Sequence, residues 1–547
     1  MPVTVTINGR TIELSPGQSL FECAELAGIR VPTSCRKQGR CKECIVEIAA
    51  GMDLLSGPTD QEQHLKGQYR LSCQCRAAAS AGHVQCHTMR RGQMRIERRA
   101  PVLAASRLVG TPDPAVTRDG DRVLIDGDEV DRARGALHGI AMDLGTTTVV
   151  LRLLNLETGE TLADTSFENP QRFGGSDVMA RIQYATEHGR QVLVRTLAGY
   201  IRHAIEEFPA DPTTIYEMTV VGNSTMRDLF FRKDVSSIGQ SPYRSITEID
   251  VLEGRRTTTS LTDTGRRCLL PIHPKARVYG LPVISGHVGA DAAACLLATD
   301  LAHEDRLVAI MDIGTNTELI VGNRHRILAA SCPAGPAFEG GGISCGMPAL
   351  DGAVESVSAS DAGTFRFGVI GDIAPEGLCG SGLVDLLSEL IRTGRMNRLG
   401  RFRNEEQRIT LDRARDLFLL ESDVNELAQA KGANSAGLRV VFEALGVDAC
   451  DLDVFYLAGA FGRRLQVESA QRIGLLPMMP ASRVVQLGNA AIEGASIALL
   501  SRSKRRELEA LVGTVEHCRL EAHPHFFDHF VEGCQFKPLE NMGRVAG

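Results

Sequence analysis

One pattern occurs twice in this chain of 547 residues, and it limits the folds that the chain can adopt. Residues 140–155 read IAMDLGTTTVVLRLLN, and residues 309–323 read AIMDIGTNTELIVGN. Each copy has an apolar segment, an aspartate, a Gly-Thr turn and a second apolar segment. Asp143 and Asp312 align and lie 169 residues apart. A duplicated unit of this length predicts two similar α/β halves, approximately 138–300 and 301–500, with a closing segment, in a domain of residues 138–547.

The residue types in the two turns suit a nucleotide polyphosphate. Backbone N–H groups of a Gly-containing turn, together with threonine hydroxyls, can bind phosphate oxygens. The aspartates can hold Mg²⁺ mostly through water, because this ion dehydrates reluctantly, so we predict catalytic roles for Asp143 and Asp312. One such turn is often merely structural, whereas two in register indicate a nucleotide site. The predicted nucleotide-binding residues of the two turns are Gly145, Thr146, Thr147, Gly314, Thr315 and Thr317.

Two further glycine-rich segments are candidates for the same site. DVFYLAGAFG (453–462) is an apolar strand that ends in a turn, where Gly459 and Gly462 would let the backbone approach a base and ribose. The alternative is a plain strand-to-helix turn with glycine as its stop. CPAGPAFEGGGISCGMPA (332–349) contains Gly335, which we predict to contact the nucleotide, although such a segment can also be a simple connector.

Four cysteines near the N-terminus have the spacing of an iron–sulfur site. Five residues separate Cys35 from Cys41, two separate Cys41 from Cys44, and 28 separate Cys44 from Cys73. Three thiolates from one loop and a fourth from a later strand are typical of a [2Fe–2S] cluster. Two alternatives stay open. Zinc also takes four cysteines, though usually as two close pairs, and Cys75 could replace Cys73 as the fourth ligand.

The sequence around these cysteines predicts a small α+β domain over residues 1–90. Alternating apolar and polar residues flank Asn8-Gly9, a strong hairpin signal. The helical segment SLFECAELAG ends at Gly28, and the strand CIVEIAAG follows the cysteine loop. This order is that of a small ferredoxin, and the five-residue first gap resembles adrenodoxin-like proteins. We therefore expect a ferredoxin-like (β-grasp) domain that carries electrons.

The next segment, residues 91–137, predicts a charged linker that contains one hairpin, DRVLIDGDEV. Five arginines lie between Arg90 and Arg99, but no aromatic residues are interleaved with them, so we expect no nucleic-acid binding. No apolar run is long enough to span a membrane, and the N-terminus lacks a signal-peptide pattern. We expect a cytoplasmic protein whose fifteen cysteines are reduced, metal-binding or buried.

Two groups of polar residues have roles that the sequence leaves open. EHCRLEAHPHFFDHFVEGC (516–534) is rich in His and Cys, but its spacing fits no standard zinc pattern, so we expect a closing strand and helix there. Asn169, Gln171 and Asp177 either line a binding cleft or cap the following helix.

The aspartate turns and the later Gly-rich turn resemble the phosphate-1, phosphate-2 and adenosine motifs of the superfamily of actin, heat-shock chaperones and sugar kinases. More segments resemble a narrower family, the reductive activators of corrinoid enzymes, in which a [2Fe–2S] domain precedes such an ATPase domain. The resemblance covers residues 3–90 and nearly all of 139–540. Its further motifs are NPQRFGGSDVMARI (169–182), VVGNSTMRDLF (220–230), GHVGADAAA (286–294), GLCGSGLVDLL (377–387), RIGLLP (472–477) and LGNAAIEGA (487–495).

This resemblance implies an ATP-dependent oxidoreductase that passes one electron to an inactivated cob(II)alamin and restores cob(I)alamin. The implied cofactors are a [2Fe–2S] cluster, ATP and Mg²⁺. The implied partners are the corrinoid protein of a methyltransferase system and an upstream electron donor, without a membrane. Some members carry an extra domain after the cluster domain, for which only about 47 residues are available here; a homodimer is therefore left open. Two other classes remain: a metabolite kinase with a regulatory cluster, and a redox-sensing chaperone-like or actin-like binding module.

Overall fold

The structure is a computed structural model, and its described residues form two compact units. The first unit contains residues 3–90 and 112–280, and the second contains residues 281–540. The described residues are 3–15, 17–90, 112–360, 364–403, 407–459 and 464–540. None of the helices within these ranges is long and apolar enough to cross a membrane.

The N-terminal part of the first unit is a five-stranded sheet with one helix, in the strand order β2-β1-β5-β3-β4. Helix α1 (Leu20–Leu26) begins at a capping box, in which Ser19 and Glu22 each accept from the other's backbone N–H. Alternate residues of the first strand face the core, as a period of two requires. This is the predicted β-grasp order. The strands are β1 (Val3–Ile7), β2 (Arg10–Leu14), β3 (Ile45–Ala50), β4 (Tyr69–Leu71) and β5 (Gly82–Thr88).

Residues 112–137, which we predicted to belong to a linker with one hairpin, form a three-stranded antiparallel sheet. The Tyr216 hydroxyl donates to Asp131 at 2.9 Å, and Arg118 pairs with Glu157 at 2.7 Å. These contacts hold the small sheet against the rest of the first unit. Residues 91–111 of the predicted linker lie outside the described residues. The strands are β6 (Val116–Asp119), β7 (Arg122–Ile125) and β8 (Asp128–Arg132).

A six-stranded mixed sheet with the order β11-β10-β9-β12-β14-β13 completes the first unit. Its strands are β9 (His138–Leu144), β10 (Thr148–Asn155), β11 (Thr161–Glu168), β12 (Ile215–Val221), β13 (Leu261–Thr264) and β14 (Arg277–Gly280). Its helices are α2 (Val178–His188), α3 (Gln191–Glu206), α4 (Ser224–Phe230) and α5 (Ile246–Leu252). Strand β12 is buried at every position, as expected for a parallel strand covered on both faces.

The second unit is built on another six-stranded sheet, with the order β24-β23-β15-β16-β17-β25. Its strands are β15 (Val308–Ile313), β16 (Thr317–Asn323), β17 (Arg326–Cys332), β23 (Val454–Gly459), β24 (Val484–Gly488) and β25 (Glu516–His517). Two small sheets accompany it, with strands β18 (Ala353–Ala359), β19 (Phe365–Val369), β20 (Gly377–Leu378), β21 (Arg408–Asp412) and β22 (Leu417–Leu420). The helices are α6 (Ala290–Ala298), α7 (Gly380–Arg392), α8 (Glu421–Leu445), α9 (Val467–Ile473), α10 (Ala490–Leu500), α11 (Arg502–Val512) and α12 (Phe526–Gly533).

Five successive strands of the two large sheets correspond, which confirms the predicted pair of similar α/β halves. The order β11-β10-β9-β12-β14 matches β17-β16-β15-β23-β24, with the same parallel and antiparallel neighbours. The register also matches, since Asp143 is opposite Val221 in the first sheet and Asp312 is opposite Ala458 in the second. The segment GNST (222–225), directly after β12, is therefore the first-half counterpart of the Gly-rich turn after β23.

Candidate functional site

The four predicted cluster ligands lie together as two sulfur pairs. The thiol of Cys35 contacts that of Cys41, and the thiol of Cys44 contacts that of Cys73. Two pairs suit a cluster of two irons, in which each iron takes two protein ligands. Cys41, Cys44 and Cys73 are at most 5% exposed, whereas Cys35 is half-buried. The loop thus covers most of the site and leaves it open beside Cys35.

Hydrogen-bond donors of the loop point at these sulfurs. The N–H of Gly39 and the side-chain amide of Gln74 both donate to the sulfur of Cys73, the latter at 3.3 Å. Gly39 has a φ of 74°, and a Cβ there would lie 3.0 Å from the Gln74 side chain. Contact with Cys44, and then the Gln74 amide, lower the pKa of the Cys73 thiol to about 6 against the effect of burial. Such donors are the ones that stabilise cluster sulfurs and ligand thiolates.

Cys75, the alternative fourth ligand, lies in a different environment. Its side chain is fully buried beside the charges of Arg70 and Glu62 and the thiol of Cys86. Burial raises the pKa of the Cys75 thiol to about 12. Because the sulfur of Cys73 contacts that of Cys44, whereas Cys75 lies beside Arg70 and Cys86, this geometry favours Cys73 over Cys75.

The N-terminal sheet packs against helix α3 within the first unit. The Met89 N–H donates to the Tyr200 hydroxyl at 3.1 Å, and Tyr200 is almost completely buried. Gly199 permits the close approach, since a Cβ there would lie 2.7 Å from Cβ of Pro32. Two ion pairs border this contact, Arg30–Glu206 and Arg90–Glu207.

The predicted phosphate-binding turn of the first half is held by two asparagines. The side-chain amide of Asn223 donates to the Thr146 hydroxyl oxygen at 2.8 Å. Asn169 holds the turn twice: its side-chain amide donates to the Gly145 carbonyl at 2.8 Å, and its N–H donates to the Thr147 carbonyl at 2.6 Å. Both asparagines also cap helices, α4 and a 3₁₀ helix at 170–174. The turn is therefore fixed from two other segments of the first unit.

Of the other two residues whose role the sequence left open, Asp177 caps α2 by accepting from the Ala180 N–H at 2.9 Å. Gln171 is fully buried, and its amide donates to the Leu193 carbonyl. In the structure, Asp177 acts as a cap and Gln171 packs inside.

The glycines of the two turns do not adopt the left-handed backbone conformation that would explain why glycine is required there. Neither Gly145 nor Gly314 has a positive φ. At Gly145 the reason is a close approach, because a Cβ would lie 2.7 Å from the Thr148 carbonyl oxygen. At Gly314 a Cβ would lie 3.3 Å from the Asn316 carbonyl oxygen, a milder restriction. Asp143 precedes the first turn, half-buried, at the penultimate position of β9.

Asp312 belongs to a group of three carboxylates in the second unit. Its companions are Asp291, in the first turn of α6, and Glu318, in β16. Burial, and then the charges of Asp291 and Asp312, raise the pKa of Glu318 well above its usual range. The protonated form of Glu318 is therefore favoured. The thiol of Cys295 also contacts Asp312 at 3.6 Å.

The remaining predicted residues of the second half fall into three places. The Thr315 hydroxyl donates to Glu339, which joins the second turn to the Gly-rich segment that contains Gly335. Gly335 has a φ of 75°. Thr317 is fully buried in β16, and its hydroxyl has no hydrogen-bond partner within the part of the chain that the structure describes. Its place inside the sheet gives no support to a phosphate-binding role.

Gly459 lies directly against the second aspartate. It has a φ of 93°, and a Cβ there would lie 2.5 Å from the Ile313 carbonyl oxygen and 2.6 Å from Oδ1 of Asp312. Gly222 has the equivalent position in the first half, with a φ of 148° and a Cβ position 2.4 Å from the Leu144 carbonyl oxygen. Gly462 lies outside the described residues.

Sequence reasoning did not single out several residues that complete these turns. They are Asn223, Asp291, Glu318 and Glu339. Each stands inside a motif quoted above, such as VVGNSTMRDLF for Asn223 and GHVGADAAA for Asp291. Their amide and carboxylate side chains were the only signal in the sequence that they belong to the site. What these side chains contact is visible only in the fold.

Three family models match the chain. The 2Fe-2S iron-sulfur cluster binding domain matches residues 3–78, the RACo middle region matches residues 138–304, and the C-terminal ASKHA domain of RACo matches residues 306–545. The corrinoid activation enzyme RamQ of Eubacterium limosum is 32% identical over 431 residues, which are 73% of this chain and 70% of that protein. The chain belongs to the corrinoid activator family. This membership confirms the resemblance and the fold class that the sequence indicated.

Two further comparisons agree with this family of corrinoid activators. The [Co(II) methylated amine-specific corrinoid protein] reductase of Methanosarcina barkeri is 28% identical over 393 residues, which are 67% of this chain and 71% of that protein. A solved structure, described as a reductive activator for corrinoid, iron-sulfur protein, covers 98% of both chains with a TM-score of 0.71 and 26% identity. The likeness to this corrinoid activator therefore extends over the iron–sulfur and ATPase domains together.

Proposed function

We propose that this corrinoid activator transfers one electron from a [2Fe–2S] cluster to the cob(II)alamin of a corrinoid protein, in a reaction that depends on ATP. The observation that carries the proposal is the arrangement of Cys35, Cys41, Cys44 and Cys73 as two sulfur pairs, in a chain that also has two aspartate turns. The named relatives, a corrinoid activation enzyme and a Co(II) corrinoid protein reductase, support the same reaction.

The four cysteines are the proposed cluster ligands, with Cys73 rather than Cys75 as the fourth. A [2Fe–2S] cluster, when bound, takes up and gives up single electrons. The loop residues hold the sulfurs in pairs, donate N–H groups to them and exclude water except near Cys35. One electron leaves the reduced site, and one cob(II) becomes cob(I), so the step balances without a proton.

ATP and Mg²⁺ are the proposed ligands of the two aspartate turns. Because Asn223 donates to the oxygen of Thr146, the O–H of Thr146 is oriented to donate elsewhere, as a phosphate oxygen requires. In the second half, Asp291 and Asp312 provide carboxylates for Mg²⁺ and its waters. Gly335, Gly459 and Gly462 remain proposed nucleotide contacts, and Asp143 a proposed partner of the metal ion.

ATP hydrolysis does not have to be coupled directly to the electron-transfer step. A ligand changes an equilibrium only through its different affinities for two states. We propose that binding and hydrolysis of ATP change the affinity of this chain for the corrinoid protein, so that the partner docks, is reduced and leaves. The free energy of ATP binding and hydrolysis then controls when the corrinoid protein binds to the cluster domain and when it leaves.

An upstream electron donor is part of the proposal, because the sequence has no recognisable flavin or nicotinamide motif. The fifteen cysteines are free thiols in the structure, which suits the reducing cytoplasm. A homodimer is retained as a proposal that sedimentation analysis can test.

The deciding experiment is anaerobic. The chemically reduced protein is mixed with a cob(II) corrinoid protein, with and without MgATP, and the cobalamin absorbance is followed. Cob(I) should accumulate in the presence of the protein, and MgATP should accelerate it. Unchanged cob(II) in the presence of reduced protein and MgATP contradicts the proposal. ADP formation that depends on a small metabolite, and not on the corrinoid protein, would identify a kinase instead.

A further inference from the structure

One carboxylate and two imidazoles converge where the end of α8 meets the C-terminal helix α12. The ligand atoms of Glu443, His523 and His529 all lie within 4.8 Å of one another. Nε2 of His529 is 3.1 Å from one Glu443 oxygen, and Nε2 of His523 is 3.7 Å from the other. The two rings are tilted by only 25°, with their centroids 6.1 Å apart. We propose that these three residues bind a divalent first-row metal ion, for which Zn²⁺ is the best match.

The three residues are held by regular structure rather than by loose chain. Glu443 lies in the last turn of α8, His529 lies in α12, and His523 follows a 3₁₀ turn just before α12. The two helices pack closely, since a Cβ on Gly432 would lie 2.7 Å from Sγ of Cys534. The buried side-chain nitrogen of Lys431 also donates to a carbonyl of α12. Rigid packing of this kind keeps ligands in place before the metal arrives.

Two ring nitrogens at this site lack the hydrogen bonds that burial normally demands. Nδ1 of His523 and Nε2 of His529 are buried without a hydrogen-bond partner among the described residues. The nearby Glu443 oxygen does not satisfy Nε2 of His529, because their 3.1 Å contact lacks hydrogen-bond geometry. A buried polar atom without a partner destabilises a fold. A metal ion between Glu443 and His529 would remove that penalty at Nε2 of His529, while His523 would bind the ion through Nε2, the nitrogen that faces Glu443.

The chemistry of the donors favours zinc. Two imidazole nitrogens and one carboxylate, with water in the fourth position, form an established zinc coordination set. Harder ions such as Mg²⁺ and Ca²⁺ prefer oxygen ligands. Glu443 is also two residues from the C-terminal end of α8, where the partial negative charge of the helix favours a cation.

A second cluster of similar composition differs from this one because it already contains a cation of the protein. Asp300, His303 and Glu507 also approach one another, but the Lys504 ammonium lies 3.3 Å from Asp300 and 2.9 Å from Glu507. That cluster is thus already neutralised by a cation of the protein itself. Glu443 pairs with no lysine or arginine in the described ranges, because Arg439, one turn earlier in α8, pairs with Glu532 instead.

The sequence favoured a plain closing helix here, because the local His and Cys spacing fits no zinc pattern. The spacing rule fails since one ligand, Glu443, comes from another helix 80 residues before His523. Only the packing of α8 against α12 brings the three together.

The test measures bound metal in the full-length protein with its cluster reconstituted. The protein is freed of loosely bound metal with a chelator, given one equivalent of Zn²⁺, desalted and analysed for zinc and iron by mass spectrometry. About one zinc per chain is expected in the wild type, with unchanged iron. His529→Ala and Glu443→Gln should each weaken zinc binding at least about tenfold without loss of iron. His303→Ala, in the contrasting cluster, is the matched control and should bind zinc as the wild type does.

Thermal melting guards against misfolded variants. Glu443→Gln keeps the shape of the side chain, so its cluster absorbance should match that of the wild type. Zn²⁺ should raise the melting temperature of the wild type and of His303→Ala, because a ligand of the folded state stabilises it, but not that of Glu443→Gln. A wild type that retains less than about a tenth of an equivalent of zinc overturns the proposal. Equal zinc binding by the wild type, Glu443→Gln and His529→Ala overturns it as well.

Discussion

Arg172 donates to Glu47 at 2.7 Å, with the two side chains only 12% and 10% exposed. This pair joins the N-terminal sheet to the first α/β half. Glu47 belongs to β3, which begins directly after Cys44, and Arg172 lies in the 3₁₀ helix that Asn169 caps. Since Asn169 also holds the turn at Gly145, a short series of polar contacts connects a proposed phosphate turn with the cluster loop.

Loss of this ion pair should destabilise the first unit. Breaking a buried pair by removing one partner costs about 3–5 kcal/mol, so we expect about 3 kcal/mol for Arg172→Ala in urea unfolding. Glu47→Gln should cost less, because Arg172 keeps its second partner, Glu168. Arg30→Ala, which removes a half-exposed pair with Glu206, is the control and should cost less than about 1 kcal/mol. Equal small losses in Arg172→Ala and Arg30→Ala would show that the buried pair has no special role.

The choice between two neighbouring cysteines as cluster ligand is open to a direct comparison. Cys73→Ser should lose most of its iron or change its visible spectrum, because the sulfur of Cys73 contacts that of Cys44. Cys75→Ser should keep the iron content and spectrum of the wild type, because that thiol lies beside Arg70 and Cys86. Iron analysis and absorbance after anaerobic reconstitution measure both. The reverse pattern would assign the fourth ligand to Cys75.

Asp312 should be needed for the ATP-dependent step and not for the cluster. Asp312→Ala removes one of the two carboxylates that the second half is proposed to offer Mg²⁺, so we expect ATP-dependent formation of cob(I) to slow at least about a hundredfold. The cluster spectrum should stay unchanged. Asp305→Ala, at an exposed pair with Arg324, serves as control and should keep full activity. Loss of spectrum and activity together in Asp312→Ala would contradict this division of roles.

Gly459 should tolerate no side chain. Gly459→Ala places a methyl group 2.5 Å from the Ile313 carbonyl oxygen and 2.6 Å from Asp312, at a φ of 93°. Nucleotide binding, measured by calorimetry, should weaken because the strand end must shift. Gly446→Ala is the matched control: its φ is also positive at 71°, but the space around it is open. It should lower stability by only about 1 kcal/mol and leave binding intact. Normal binding by Gly459→Ala would exclude this strand end from the nucleotide site.

Lys431 gives the stability of the protein a specific pH dependence. Burial lowers the pKa of its amine from 10.5 to about 7. Between these values the unfolded chain binds a proton at Lys431 that the folded chain does not, so this residue makes stability rise with pH by at most about 1.4 kcal/mol per pH unit. Below about pH 7 the penalty for burying the charge is present in full. The stability of Lys431→Met relative to the wild type should therefore fall steadily from pH 7 to 10.

Unfolding free energies of both proteins across this range measure the effect. Lys66→Met, at a side chain that is 79% exposed, is the control, and its pH profile should run parallel to that of the wild type. A parallel profile for Lys431→Met would mean that the amine is charged in the folded state throughout.

The sequence was sufficient for features that depend on local patterns. The repeated pattern of an apolar segment, an aspartate and a Gly-Thr turn predicts the paired halves, and cysteine spacing predicts the four candidate cluster ligands. Residues whose role depends on distant contacts were not predictable. Asn169 and Asn223 reach turn residues that are 24 and 77 positions away in the chain. Glu339 likewise meets Thr315 across 24 positions.

At two places the structure differs from what the sequence led us to expect, and each difference has a simple physical reason. Thr317 looked like a phosphate ligand, yet the alternation of β16 places it on the same face as Leu319 and Val321, which are buried. The charged stretch 112–137 looked like a tether, yet charged residues also occupy the exposed positions of a small sheet. In its middle strand, Val123 and Ile125 point inward, and the charges lie on the other positions and the neighbouring strands.

From the partial exposure of Cys35 we infer where the proposed partners approach the cluster. The other three sulfurs are buried. The proposed electron donor and the corrinoid protein would therefore both bind beside Cys35, one after the other. Arg36 and Lys37 are exposed next to Cys35, which favours partners with acidic faces. The two partners would then compete for one binding surface. An excess of the reduced donor should therefore slow the reduction of the corrinoid protein.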